Sequence, residues 1–290
     1  MIAGRPSATA LLVALSVWRH GAAHGLPDAS IRIAGEALTG ARGIWPWLRR
    51  CAATRVGGWL LDRLESLLLP GLGAHHCRRK QWLWQALSAR SAAQRWIWLG
   101  VGFDGLGRAL GGQRCAPDLI ELDHPDSLAL RARLPFVQLP PGIQMQPLSL
   151  PADTAALQRL CSERPSVVVA EGLLMYLSPR PLLRLLRALA RQSNPPELWL
   201  SALSPEHPQG RGFGGGRGVT CAWLHAQGEP FRWRIEPERL QALLRRHGYV
   251  TEQLWDGAGY GEFVLGARPL QRVDATAPEA DPTLCATAAP

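Results

Sequence analysis

Between Trp96 and Asp104 the chain reads Trp-Ile-Trp-Leu-Gly-Val-Gly-Phe-Asp. An apolar strand runs straight into a turn whose glycines recur as Gly100-x-Gly102-x-x-Gly105. Such a run must leave a sheet, turn sharply and open a helix. Glycine there lets the backbone approach a ligand without a Cβ clash. Two acids, Glu121 and Asp123, follow a second apolar start at Leu119-Ile120. Their distance from the turn is about the 20 residues at which an acid accepts hydrogen bonds from a ribose diol. Glycine is common in this chain, with 30 residues, so the turn alone also suits a purely structural corner. The acids at the right spacing favour a nucleotide-type ligand.

The length of 290 residues permits one large α/β domain or two small ones, and 47% hydrophobic residues supports a real core. The net charge of +9 comes almost entirely from arginines scattered over many segments. That pattern suits a solvated surface with anionic ligands, or weak nucleic-acid binding. The six cysteines, at 51, 77, 115, 161, 221 and 285, include no CxxC pair. They predict no disulfide framework and a reducing, cytoplasmic compartment. His75-His76-Cys77 has no second ligand pair at zinc spacing, so a loop or helix start is expected there and no metal. The run from Ala8 to Val17 could pass for a signal peptide, with Ala22-Ala23 near a cleavage point. Its Ser7, Thr9 and Ser16, and the Trp18-Arg19-His20 that follows, fit an amphipathic helix beginning near Ser7, which is the expectation here. No run is long enough to span a bilayer, so no membrane partner is expected.

Apolar spacing predicts helices at 7–19, 29–39, 55–69 and 76–90, with Pro46, Pro70 and glycines separating them. From about residue 94 short apolar runs alternate with helical patterns. Strands are predicted at 95–99, 118–122, 144–148, 166–170 and 197–202. Helices fill the gaps at 104–110, 125–133, 154–162 and 179–191. This alternation implies a mostly parallel sheet covered on both faces. Residues 204–218, rich in proline and glycine, predict a loop. A helix at 237–247 and strands at 249–255 and 261–267 complete the pattern. The expected organisation is a helical cap over 1–92, an α/β core over 93–267 with a lid at 204–218, and a disordered tail over 268–290.

Seven strands, a helix-rich cap and a final antiparallel pair resemble class I S-adenosylmethionine-dependent methyltransferases. Three motifs sharpen the resemblance to the leucine carboxyl methyltransferase family. They are Leu99-Gly-Val-Gly-Phe-Asp104 with Arg108-Ala-Leu110, Ile120-Glu-Leu-Asp123-His-Pro125, and Ala170-Glu171-Gly-Leu-Leu-Met-Tyr176-Leu. Ser7-Ala-Thr9-Ala resembles the opening of bacterial members. The resemblance implies a Rossmann-like methyltransferase sheet and S-adenosyl-L-methionine as cofactor. It implies that Gly100, Gly102 and Asp104 line the methionine and ribose part. Asp123, with Glu121 beside it, would hold the ribose hydroxyls, and Arg79 would meet the cofactor's carboxylate through a bidentate fork. Glu171 and Tyr176 would stand at the cofactor–substrate edge, as the catalytic candidates.

The chain departs from the family at two positions. Trp84 stands where an Asp is usual, and Ser149 where an acid reads the adenine amino group, with Asp153 nearby as a substitute. The expected reaction is O-methylation of a small-molecule carboxylate or hydroxyl. A carboxylate needs no general base, whereas a hydroxyl does. Arg211 and Arg217 in the lid could meet an anionic acceptor. The Gly210–Gly218 stretch also resembles an RGG-type segment, which keeps RNA open as a partner. Methylation of a protein C-terminus or a tRNA base, and a binding protein without turnover, are the alternatives. Nothing in the sequence sets an oligomeric state.

Overall fold

The computed structural model describes residues 4–90, 94–112, 118–135, 142–205, 217–257 and 260–270, with the side chains of 217–221 excepted. Five helices precede the first strand: α1 (Ala8–His20), α2 (Asp28–Gly40), α3 (Trp45–Ala52), α4 (Arg55–Leu68) and α5 (Leu72–Ser88). The alternating part follows as β1 (Arg95–Leu99), α6 (Leu106–Gly112), β2 (Leu119–Asp123), α7 (Pro125–Arg131), β3 (Ile143–Pro147), α8 (Thr154–Ser162), β4 (Ser166–Ala170), α9 (Pro179–Ala190) and β5 (Glu197–Leu203). The chain continues through α10 (Arg217–Ala226), α11 (Pro237–Arg246), β6 (Tyr249–Asp256) and β7 (Glu262–Pro269). Of the tail expected over 268–290, residues 268 and 269 instead end β7; the part beyond 270, and residues 206–216 of the lid, lie outside the described residues.

The strands form one seven-stranded sheet in the order β3-β2-β1-β4-β5-β7-β6. β1 to β5 run parallel, and β7 is antiparallel to both β5 and β6. This is the expected mostly parallel, Rossmann-like sheet. Its strand order reverses beside β1, and in open α/β sheets a ligand crevice forms outside the carboxyl ends at such a point.

Alternation along β1 explains the two cores. Ile97 and Leu99 face one side with Val168, Leu198 and Leu265, under Leu157, Leu185 and Leu240 of the flanking helices. Trp96 and Trp98 face the other with Val167, Val169 and Trp199, under Leu83 and Leu87 of α5 and Leu106 of α6. A strand buried on both faces reads as a continuous apolar run, as Val167-Val168-Val169 does. A third cluster joins α1, α2 and α5 through Leu11, Ala34, Leu38 and Cys77, and reaches Phe103 in the glycine turn. The helical region therefore sits over the carboxyl edge of the sheet.

Three elements differ from expectation. Pro46 was expected to separate helices, but it occupies the first turn of α3, where its missing N–H costs nothing. Residues 217–226 form α10, where 217 and 218 were expected to end a loop. The cap also starts its last helix at Leu72 rather than residue 76.

Glu121 is corrected by the structure. It was expected beside Asp123 on the ribose, yet it lies inside the sheet with 1% of its surface exposed. Both of its oxygens are engaged by arginines. Arg108 of α6 donates to Oε1 at 2.8 Å and Oε2 at 2.6 Å, and Arg131 of α7 to Oε2 at 3.0 Å and Oε1 at 2.5 Å. The two guanidiniums outweigh the burial cost and hold its carboxyl below the usual range. The triad pins α6 and α7 to β2. Removing the shared acid leaves two buried cations uncompensated, which costs about 3–5 kcal/mol. Glu121→Ala is expected to lower the unfolding free energy by that amount in urea titrations, and an unchanged midpoint would mean the arginines find other partners.

Candidate functional site

A cavity of about 870 Å³ opens at the carboxyl ends of β1, β2 and β4. Its floor is the glycine turn. Gly100 and Gly102 take positive φ, +64° and +51°, which L side chains rarely adopt. Gly105 serves a different purpose: a Cβ there would lie 2.7 Å from Ser30 Cα, so this glycine permits α2 to pack on the turn.

Asp123 ends β2 beside this turn. Gly102 N donates to its Oδ2 and His124 N to its Oδ1, both at 2.6 Å. Burial raises its pKa, and these two N–H groups pull against that rise. The carboxylate is thereby fixed at the cavity wall with lone pairs left for further donors. Arg131 ties the same corner to the core by donating to Gly102 O at 3.2 Å.

The opposite wall carries a chain of buried charges. Lys80 of α5 donates to Asp104 Oδ2 at 2.9 Å and to Glu171 Oε2 at 3.0 Å. Arg79 donates through Nε to Glu171 Oε1 at 2.8 Å and through Nη1 to Glu262 Oε2 at 2.5 Å. His75 Nε2 lies 2.9 Å from the same Glu262 oxygen. Burial opposes charge on Glu171, but Lys80 and then Arg79 lower its pKa overall. For Asp104 burial wins, and its pKa is raised in spite of Lys80. The expected free fork of Arg79 is therefore occupied by two protein carboxylates, and it belongs to a helix rather than a basic turn.

Ser149 lines the cavity with Leu148, Leu150 and Pro151. Asp153 is exposed and accepts from Ser149 N at 2.7 Å, closing its own turn rather than facing the cavity. Tyr176 follows β4 in a short 3₁₀ turn, lines the cavity, and tilts on Phe231 at 5.6 Å between centroids. Burial pushes its phenol well above the usual range, so it stays protonated. His225 is exposed on α10, as surface. Arg211 and His207, and the side chain of Arg217, lie outside the described residues.

Three participants were missed. Glu229 caps the start of α1: it accepts from Ala8 N at 3.2 Å, Thr9 N at 3.0 Å and Thr9 Oγ1 at 2.6 Å. A carboxylate suits a helix N-terminus, where N–H groups lack partners, but its separation of 220 residues leaves no local signal. Lys80 was passed over beside Arg79. His76 was read only as part of a rejected metal cluster. The His75-His76-Cys77 run lies inside α5, where His76 Nδ1 bonds Ser16 Oγ at 3.0 Å and its ring lines the cavity. Apolar periodicity carried the helix, but not which polar members point inward.

No protein-family model matches this sequence, and no curated protein is similar to it. Solved structures share the fold. A protein of Thermobifida fusca YX, provisionally named a methyltransferase, aligns with a TM-score of 0.55 at 14% identity, over 83% of this chain and 95% of its own. A DUF574-family protein of Streptomyces avermitilis MA-4680 aligns at 0.56 and 13%, over 82% and 96%. The sheet described above is thus the Rossmann-like α/β sheet of such proteins.

Burial, then Arg79 and His75, hold the His76 pKa well below 6.5. Its imidazole is neutral in the folded chain, while the unfolded chain protonates it below pH 6.5. Its contribution is complete above that pH and is lost as the pH falls, by up to about 1.4 kcal/mol per pH unit. His76→Asn should flatten this dependence between pH 6.5 and 5. Urea midpoints for both proteins at pH 7 and 5.5 check it, and equal slopes would assign the effect to other groups.

Proposed function

We propose that this protein is an S-adenosylmethionine-dependent O-methyltransferase whose acceptor is a small molecule. The observation that carries the reading is Asp123, fixed by Gly102 N at the floor of a deep and mainly apolar cavity. The residues present fit the cofactor. Asp123 would accept from the ribose hydroxyls, and the peptides of Gly100 and Gly102 would let the backbone close on its sugar. Leu148, Ser149 and Leu150 would hold the adenine, with no charged reader. The Lys80–Asp104–Glu171–Arg79 chain supplies carboxylates for the amino group and cations for the carboxylate. Arg79 would share its fork with Glu171 and Glu262 and would thus position Glu171 as well.

Bound there, the cofactor supplies a methyl group on a sulfonium for in-line displacement. The protein's task is alignment, which in well-oriented reactions is worth roughly 7–11 kcal/mol. Tyr176 and Phe231 would hold the acceptor on one side. A carboxylate acceptor is already nucleophilic. A hydroxyl acceptor requires a base, and the cavity-lining His76 is kept from taking up a proton by burial and by Arg79, which favours the carboxylate version. The largely apolar lining favours a small acceptor over a protein C-terminus or a tRNA base. Arg211 and Arg217 remain proposed acceptor contacts within a proposed lid at 204–218.

Calorimetric titration should show binding of both S-adenosylmethionine and its demethylated product. Asp123→Ala should weaken both by about 1–3 kcal/mol, from unpaired hydroxyls and a lost charged acceptor. Absence of heat with either compound would end this reading and leave a methyltransferase-fold binding protein. Unchanged affinity in the variant would move the ribose contact elsewhere.

A further inference from the structure

Helices α3 and α4 contain no buried residue. Their outward face carries Trp47, Val56, Trp59, Leu60, Leu64 and Leu67, exposed by 48% to 79%. On α4 the stripe Val56, Leu60, Leu64, Leu67 follows helical spacing, so it is a continuous apolar face without a covering element. The charge around it that has no ion-pair partner is positive. The acids of this stretch, Asp62 and Glu65, pair with Arg19 of α1, and Glu65 also accepts from Gly73 N. Arg42, Arg50, Arg55 and Arg63 are exposed, and among the described residues none has an acidic partner. Arg63 lies over the Trp59 ring, 5.4 Å from its centroid.

From this face we infer that α3 and α4 dock on an anionic phospholipid surface. Charge complementarity selects that occupant. A two-fold contact between copies sets a patch against itself, and here it would oppose arginines with arginines. Anionic headgroups meet the arginines directly, while tryptophan and leucine enter the acyl boundary. α4 has 14 residues, about 21 Å of helix lying in the plane. No described helix is long and apolar enough to cross a membrane, which leaves a surface contact. Ile44 and Leu68, exposed by 58% and 52%, line both this face and the cavity. Docking therefore turns the cavity mouth toward lipid. If the proposed methyl transfer holds, its acceptor is then an amphiphile drawn from the bilayer.

Vesicle flotation tests the docking without cofactor or turnover, so its failure is distinct from failure of the enzymatic reading. Wild-type protein should float with vesicles of equal phosphatidylglycerol and phosphatidylcholine, and not with phosphatidylcholine alone. Leu60→Glu/Leu64→Glu should lower binding by roughly tenfold or more, and Arg55→Gln and Arg63→Gln by about fivefold each. Neither leucine lines the cavity, and circular dichroism with thermal melting confirms that the variants fold. No flotation of wild type, or undiminished flotation of the double Glu variant, overturns the proposal. So does a wild-type dimer in light scattering that the double variant converts to monomer without any vesicle binding, which would give the face to a second copy.

Discussion

The site rests on one buried carboxylate that never reaches it. Glu121 draws Arg108 and Arg131 together inside the sheet, and Arg131 also holds the Gly102 carbonyl. Gly102 in turn fixes Asp123 through its N–H. The glycine turn, α6, α7 and the acid at the cavity floor thus share a single electrostatic anchor. Its strength lies in desolvation: with water excluded, the two cations depend on Glu121 for their side-chain ion pairs among the described residues.

A second charged chain works from the other side. α5 contributes adjacent cations, Arg79 and Lys80, to three acids from three separate segments. Asp104 comes from the glycine turn, Glu171 from the end of β4 and Glu262 from the start of β7. One helix therefore registers strands far apart along one edge of the sheet, the carboxyl ends of β1 and β4 and the start of the antiparallel β7. The cation pair also keeps Glu171 ionised where burial alone would neutralise it.

Much of this was legible. Apolar runs and their alternation located all seven strands to within two residues at either end, because strands buried on both faces, such as β1 and β4, have no other composition available, and the half-exposed β6 alternates. The glycine turn and Asp123 were legible from spacing. Glu121 and Asp123 look equivalent in sequence, since both are acids near a strand end. They differ in depth by one strand repeat, and only the position of two arginines decides their roles. Pro46 was misread because proline breaks a helix interior but starts a helix equally well. Glu229 and His76 escaped because their partners lie far away in sequence, and pairing across such distances has no local pattern.

The Glu229 clasp on α1 has a consequence for the order of assembly. During synthesis the first helix leaves the ribosome 220 residues ahead of the acid that caps it. Until then Ser7 caps only Ala10 N, the N–H groups of Ala8 and Thr9 have only water, and one wall of the cavity has no fixed end. Chains made from such distant contacts close slowly. The cavity is accordingly a late product of folding, complete only after β5 and α10 have emerged, and a nascent chain carries the glycine turn long before it can enclose anything on it.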